Sequence, residues 1–100
     1  DYPDFAKLLS NKIKDKNNSK GIIFCGTGIG ISIAANRYPH VRAALCTSID
    51  MASKSRKHND ANVLALGGRI LEDKLALQIV EEFLYTDFEA GRHNLRVDKI

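Results

Sequence analysis

A three-layer α/β/α fold, with a parallel sheet covered on both faces by helices, is what the sequence predicts, on three observations. Three short runs, Ile22–Cys25, Val41–Cys46 and Val63–Leu66, are apolar almost throughout instead of alternating with polar residues. That pattern belongs to strands buried on both faces. Between and after them stand longer segments whose apolar residues recur at helical spacing. Regular alternation of the two patterns selects parallel strands joined by right-handed crossovers. In such sheets ligands bind beyond the C-terminal ends of the strands, and two of the runs end there in glycines.

Each element has its own warrant. Pro3 suits the first turn of a helix, and Phe5, Leu8, Leu9 and Ile13 continue at helical spacing until the polar stretch from Asp15 to Lys20 ends it. Ile22–Cys25 is the first strand. Gly26, Gly28 and Gly30 make a turn, and Ile29, Ile33 and Ala34 then start a helix running to Asn36. Val41–Cys46 is the second strand, Ile49–Lys57 a helix, and Val63–Leu66 the third strand, closed by Gly67-Gly68. Glu72–Tyr85 is a helix with Leu75, Ile79 and Phe83 in one stripe, widened by Ala76, Val80 and Leu84. Thr86 to Ile100 is polar and basic.

The 100 residues suffice for one domain, 1–100, and are too few for two. An apolar fraction of 44% against 27% charged residues is that of a chain that folds, not of a disordered one. The net charge of +3 is small, and Arg92, Arg96 and Lys99 concentrate it near the C-terminus. This favours a local anion site over a nucleic-acid surface. No apolar run approaches the ~20 residues of a membrane span, and the start does not read as a secretory signal, so a cytoplasmic location is expected. Cys25 and Cys46 form no disulfide framework and no metal-type spacing, and both are expected to be free thiols. The chain starts Asp1-Tyr2-Pro3 without methionine, and is expected to be a piece of a longer protein.

The chemistry concentrates in "GIIFCGTGIGIS", Gly21 to Ser32. Alternate glycines let bare backbone N–H groups approach an anion at the start of a helix. The spacing is GxGxG, with neither the GxGxxG of dinucleotide sites nor the Lys-Ser/Thr of a P-loop, so nucleotide binding has little support. A tight strand-to-helix connection explains the glycines equally well. Cys25 alters the balance, because a thiol near a helix N-terminus can be lowered in pKa and act as base or nucleophile. Cys46, with no glycine cradle after it, is read as a small buried hydrophobe. His58, in "KHNDAN", is by itself better explained as a surface residue or a helix cap than as a catalyst. Arg92 and Arg96 are four apart, on one face if the segment is helical, where they could grip a phosphate, although composition alone favours a solvated basic tail.

"CGTGIGISIAAN", "RAALC", "HNDANVLALGGRI" and "FEAGRHNLRVDKI", in this order over nearly the whole chain, resemble the ribose-5-phosphate isomerase B family, with its galactose-6-phosphate and allose-6-phosphate isomerase members. The resemblance implies a Rossmann-like fold and interconversion of aldose and ketose phosphates through an enediolate, without metal or organic cofactor. It implies that Cys25 is the base and that the amides of Gly26, Gly30 and Ile31 hold the enediolate oxygen. A base beside preorganised donors is also what proton abstraction next to a carbonyl needs. One branch of the family carries a glutamate at the position of Ile31; isoleucine cannot titrate, which leaves the role to Cys25. The resemblance further implies that His58 and Thr27 open the sugar ring with Asn59 lining the pocket, and that Arg69, Arg92, Arg96, His93 and Tyr2 bind the phosphate. The partners it implies are the sugar phosphate and a second copy of the chain, in a homodimer whose sites are shared; whether dimers pair into a tetramer stays open.

Two departures accompany the resemblance. A strand, a loop with an Asp-His pair, a helix and a second strand precede the position of Tyr2 in the family, so the chain reads as an N-terminally truncated member. Loss of a central strand is expected to leave neighbouring strands with unpaired edges. Thr47-Ser48 stands where many relatives have His-Asp. Ribose 5-phosphate is the expected substrate; the alternatives are a six-carbon sugar phosphate, or a phosphosugar-binding or structural subunit impaired in catalysis.

Overall fold

The computed structural model describes residues 1–100. In chain order the elements are α1 (Tyr2–Ile13), β1 (Gly21–Cys25), α2 (Ile29–Ala35), β2 (Ala43–Leu45), α3 (Ile49–Lys57), β3 (Val63–Gly67), α4 (Asp73–Tyr85) and α5 (His93–Asp98). The sheet is parallel in the order β1-β3-β2. β3 is central and buried along its whole length, as its unbroken apolar run requires. Its side chains divide the core by their period of two. Val63 and Ala65 join Ile23 beneath Ala6 of α1 and Ile31 and Ala35 of α2. Leu64 and Leu66 face the other way, against Ala52 of α3 and Ile79 and Phe83 of α4. The fold is thus the expected α/β arrangement with helices on both faces.

The differences from expectation are local. β2 is only Ala43–Leu45; just before it Arg42 turns its guanidinium to Asp60 and its amide to the Asn62 side chain, while its carbonyl accepts from the amides of Asn62 and Val63. In α1 the packed face is Ala6 and Ser10, whose hydroxyl donates back to the Ala6 carbonyl, while Phe5 and Leu8 are 63% and 57% exposed. Small residues bring α1 close to its neighbours, with Leu9 and Ile13 packed beside them, and Phe5 and Leu8 lie on a face that no element of this chain covers. Likewise α2 buries Ile31, Ser32 and Ala35 and leaves Ile29 and Ile33 exposed, and Leu84 of α4 also faces outward. β1 is an edge strand, and Phe5, Leu9, Ile22, Phe24 and Ile31 line an open apolar groove beside it. The C-terminal stretch, predicted only as polar and basic, contains α5. No helix is long and apolar enough to cross a membrane.

Candidate active site

Cys25 is the last residue of β1 and pairs with Gly67 at the C-terminal end of β3. Two backbone hydrogen bonds, from Gly68 N to the Cys25 carbonyl and from Arg69 N to the Gly26 carbonyl, tie the two strand ends together at 2.8 and 3.0 Å. The loop then turns back through Gly28, at φ +81°, a conformation that side chains resist. In this turn the Gly28 amide donates to the Cys25 Sγ at 3.2 Å, and the Ile29 amide donates to Thr27 Oγ1 at 3.2 Å. The amides of Gly26 and Gly30 donate to no backbone carbonyl, which leaves them available to a ligand as helix-start donors are, whereas that of Ile31 turns to the Cys25 thiol.

The thiol answers to two opposing influences. Loss of water, the largest single one, raises its pKa; the amides of Ile31, Gly28 and Thr27, together with the Thr27 hydroxyl, more than offset this and hold it below its ordinary value. Cys46 shows the contrast. It is buried, burial pushes it up, and the Ser55 hydroxyl only partly counters this. Arg69 and Tyr2 reach the same end of the sheet: a methyl placed on Gly26 would stand 3.2 Å from the Arg69 guanidinium carbon, and one on Gly30 would stand 2.8 Å from the Tyr2 ring.

His58 lies elsewhere. It caps the C-terminus of α3, a helix that runs back from the end of β2 toward the start of β3, whereas Cys25 faces the end of β3. The five residues of β3, at about 3.3 Å each, separate the two. Around His58 the chain assembles a second cluster. Its ring stacks on His93 with centroids 4.4 Å apart and planes inclined by 16°. Glu89 Oε1 stands 3.8 Å from His58 Nε2 and 3.9 Å from His93 Nε2. His93 is buried, and loss of water first, then the nearby His58, Arg92 and Arg96, lowers its pKa and keeps it neutral near pH 7. Asn59 follows His58, and Arg92 and Arg96 flank His93 at the start and within α5. One chain therefore brings Cys25, Gly26, Thr27, Gly30, Ile31, Tyr2 and Arg69 to one end of the sheet. It brings His58, Asn59, Arg92, His93 and Arg96 to the other, so the expected pairing of His58 with Thr27 does not occur within a single chain.

The donors of His58, Glu89 and His93 lie within 4.8 Å of one another, a set that zinc uses. The rings are nearly parallel, however, so their in-plane lone pairs run side by side instead of converging on one point. One residue of its neighbourhood, Glu89, carries no local signal in the sequence beyond its place four residues before His93, and otherwise reads as one more charge in a polar tail. Ser48, noted for departing from His-Asp, accepts from the Met51 amide at 3.1 Å and starts α3, as serine before an apolar helical stretch predicts.

Comparison with known proteins supplies the remaining evidence. The family model described as Ribose/Galactose Isomerase matches residues 1–100. The chain is 44% identical over 100 residues to ribose-5-phosphate isomerase B of Escherichia coli, covering all of this chain and 67% of that protein. It superposes with a TM-score of 0.95 on the crystal structure of a ribose 5-phosphate isomerase from Thermotoga maritima, at 52% identity, covering 99% of this chain and 68% of that one. The same score is reached, at 46% identity and with 66% of that chain covered, against ribose-5-phosphate isomerase B from Mycoplasma genitalium with bound ribulose-5-phosphate.

Proposed function

The chain belongs to the ribose/galactose isomerase family, and from that premise we propose that it interconverts ribose 5-phosphate and ribulose 5-phosphate with Cys25 as the base. On the open-chain aldose, the Cys25 thiolate takes the proton from C2. The electrons flow to the C1 carbonyl oxygen, which becomes negative and is held by the amides of Gly26 and Gly30 and by that of Ile31, which the sulfur releases as it takes up the proton. The thiol returns the proton to C1 while the O2 hydroxyl proton passes to O1, which leaves the ketose. The observation that carries this reading is a lowered thiol surrounded by amide donors at the end of a parallel strand. Cys25→Ala tests it: turnover is expected to fall to background with folding retained, and full turnover in that variant would remove the mechanism.

The separation of Cys25 from His58 leads to a homodimer in this reading. The Cys25 end of one copy meets the His58, Arg92 and Arg96 end of another, which supplies ring opening and part of the phosphate grip, with Arg69 and Tyr2 completing it from the first copy. A cytoplasmic location, where sugar phosphates are found, belongs to the same reading. A subunit that binds a phosphosugar without turning it over is the second reading, favoured by the same separation should no copy complete the site. Turnover compared on five- and six-carbon aldose phosphates decides which sugar fits.

A further inference from the structure

We infer that Glu89 is the positioning residue for ring opening: its carboxylate, set between the Nε2 atoms of His58 and His93, fixes the orientation in which the His58 imidazole meets the sugar. The inference rests on the isomerase reading above and adds to it a residue that the sequence did not single out. Three observations carry it. Glu89 is tied to the same helix end as His58 by its own backbone, whose amide donates to the Lys57 carbonyl at 3.1 Å. The chain then reverses through Ala90 and Gly91, at φ +59° and +56°, which brings His93 back against His58. A non-glycine residue held at positive φ is strained, and such strain collects at functional sites. Finally, the stacked His93 ring is buried and closes one face of His58, while the half-exposed Glu89 carboxylate stands 3.8 Å from the ring's Nε2.

The consequence for chemistry follows from which nitrogen faces which group. Nε2 of His58 is the atom turned to Glu89; with its proton directed at the carboxylate, Nδ1 carries the lone pair. At 3.8 Å the carboxylate is within ion-pairing reach of Nε2, and a side-chain shift of about 1 Å brings it to hydrogen-bond distance. Nδ1 takes the proton of the anomeric O1 hydroxyl. The C1–O4 bond breaks with its electron pair going to O4 as the C1 carbonyl forms, and the imidazolium then hands the same proton to O4. Glu89 balances the imidazolium while it exists, and no proton is gained or lost overall.

Ribose 5-phosphate closes into a ring through O4, whereas ribulose 5-phosphate stays open because its O5 carries the phosphate. The two substrates therefore separate ring opening from proton transfer at carbon. Glu89→Gln keeps the shape and the backbone anchor. In that variant the kcat for ribose 5-phosphate is expected to fall by about 10²-fold, the low end of what proton transfer contributes, with KM changed by no more than about twofold. Exchange of the C1 hydrogen of ribulose 5-phosphate with heavy water, followed by NMR, should stay within about twofold of the unaltered protein. Unchanged turnover of ribose 5-phosphate, or an equal loss of turnover and exchange, overturns the inference. Cys25→Ala, run alongside, should lose both signals. If it keeps the exchange, the isomerase reading fails on its own, while the two Glu89→Gln rates still decide whether Glu89 acts on the ring.

Discussion

Replacing Gly28 by alanine strikes the turn that aims the amides at Cys25, and the size of the effect can be worked from two parts. At φ +81° an alanine side chain costs roughly 1–2 kcal/mol in any surroundings. The added methyl would also stand 2.5 Å from the Leu45 Cδ1 and 2.8 Å from the Leu66 backbone carbon. The leucine tip can yield, but the backbone of the central strand cannot, and overpacking of this kind costs about 1–3 kcal/mol. Gly91 supplies the control, since it has φ +56° with nothing within 4 Å of the added methyl. Gly91→Ala should thus lose only about 1–2 kcal/mol, and Gly28→Ala about 2–5 kcal/mol in all. Urea unfolding measures both, and at this chain length each kcal/mol also lowers Tm by about 4–8 °C. Equal losses in the two variants would mean that the turn is not clamped between β2 and β3.

Three further outcomes follow. Turnover should rise with pH as Cys25 deprotonates, with its midpoint below that of an ordinary thiol because the loop amides and Thr27 outweigh the loss of water; a midpoint at or above the ordinary thiol value would contradict the cradle. Arg56→Ala should destabilise by about 2–4 kcal/mol in urea, since the buried guanidinium bonds Asp60 Oδ1 and the carbonyls of Ala61 and Thr86 and its loss strands them; a loss under about 0.5 kcal/mol would place Arg56 among ordinary surface residues. Inactive Cys25→Ala and His58→Ala proteins, unfolded and refolded together in equal amounts, should recover about a quarter of full turnover, because half the dimers then hold one intact shared site; no recovery would argue that each site is built within one chain.

The strands and helices were legible because their signals are local. β3 reads as an unbroken apolar run and is buried throughout, and α3 starts and stops where its sequence pattern does. The orientation of the helices was less legible. Phe5, Leu8, Ile29 and Ile33 follow a helical period yet stay exposed, while Ala6, Ser10 and Ala35 pack; periodicity marks an apolar stripe but not whether anything in this chain covers it. The Cys25 loop could be read because a thiol among alternate glycines is an unusual combination. The distance between Cys25 and His58 could not, since it is set by the crossover that returns α3 to the far end of the sheet. Glu89 was hidden for a similar reason: its partners His58 and His93 meet only after the reversal at Ala90 and Gly91.

Alkylation by iodoacetamide reads the role of the Cys25 thiolate in a single experiment, because Cys25 and Cys46 act as reporter and control within one molecule. Cys25, partly accessible and lowered, should react first and below the pH at which ordinary thiols react, and turnover should vanish in step with that single modification; Cys46, buried and raised, should lag. A protein fully alkylated at Cys25 that still converts ribose 5-phosphate would contradict the account.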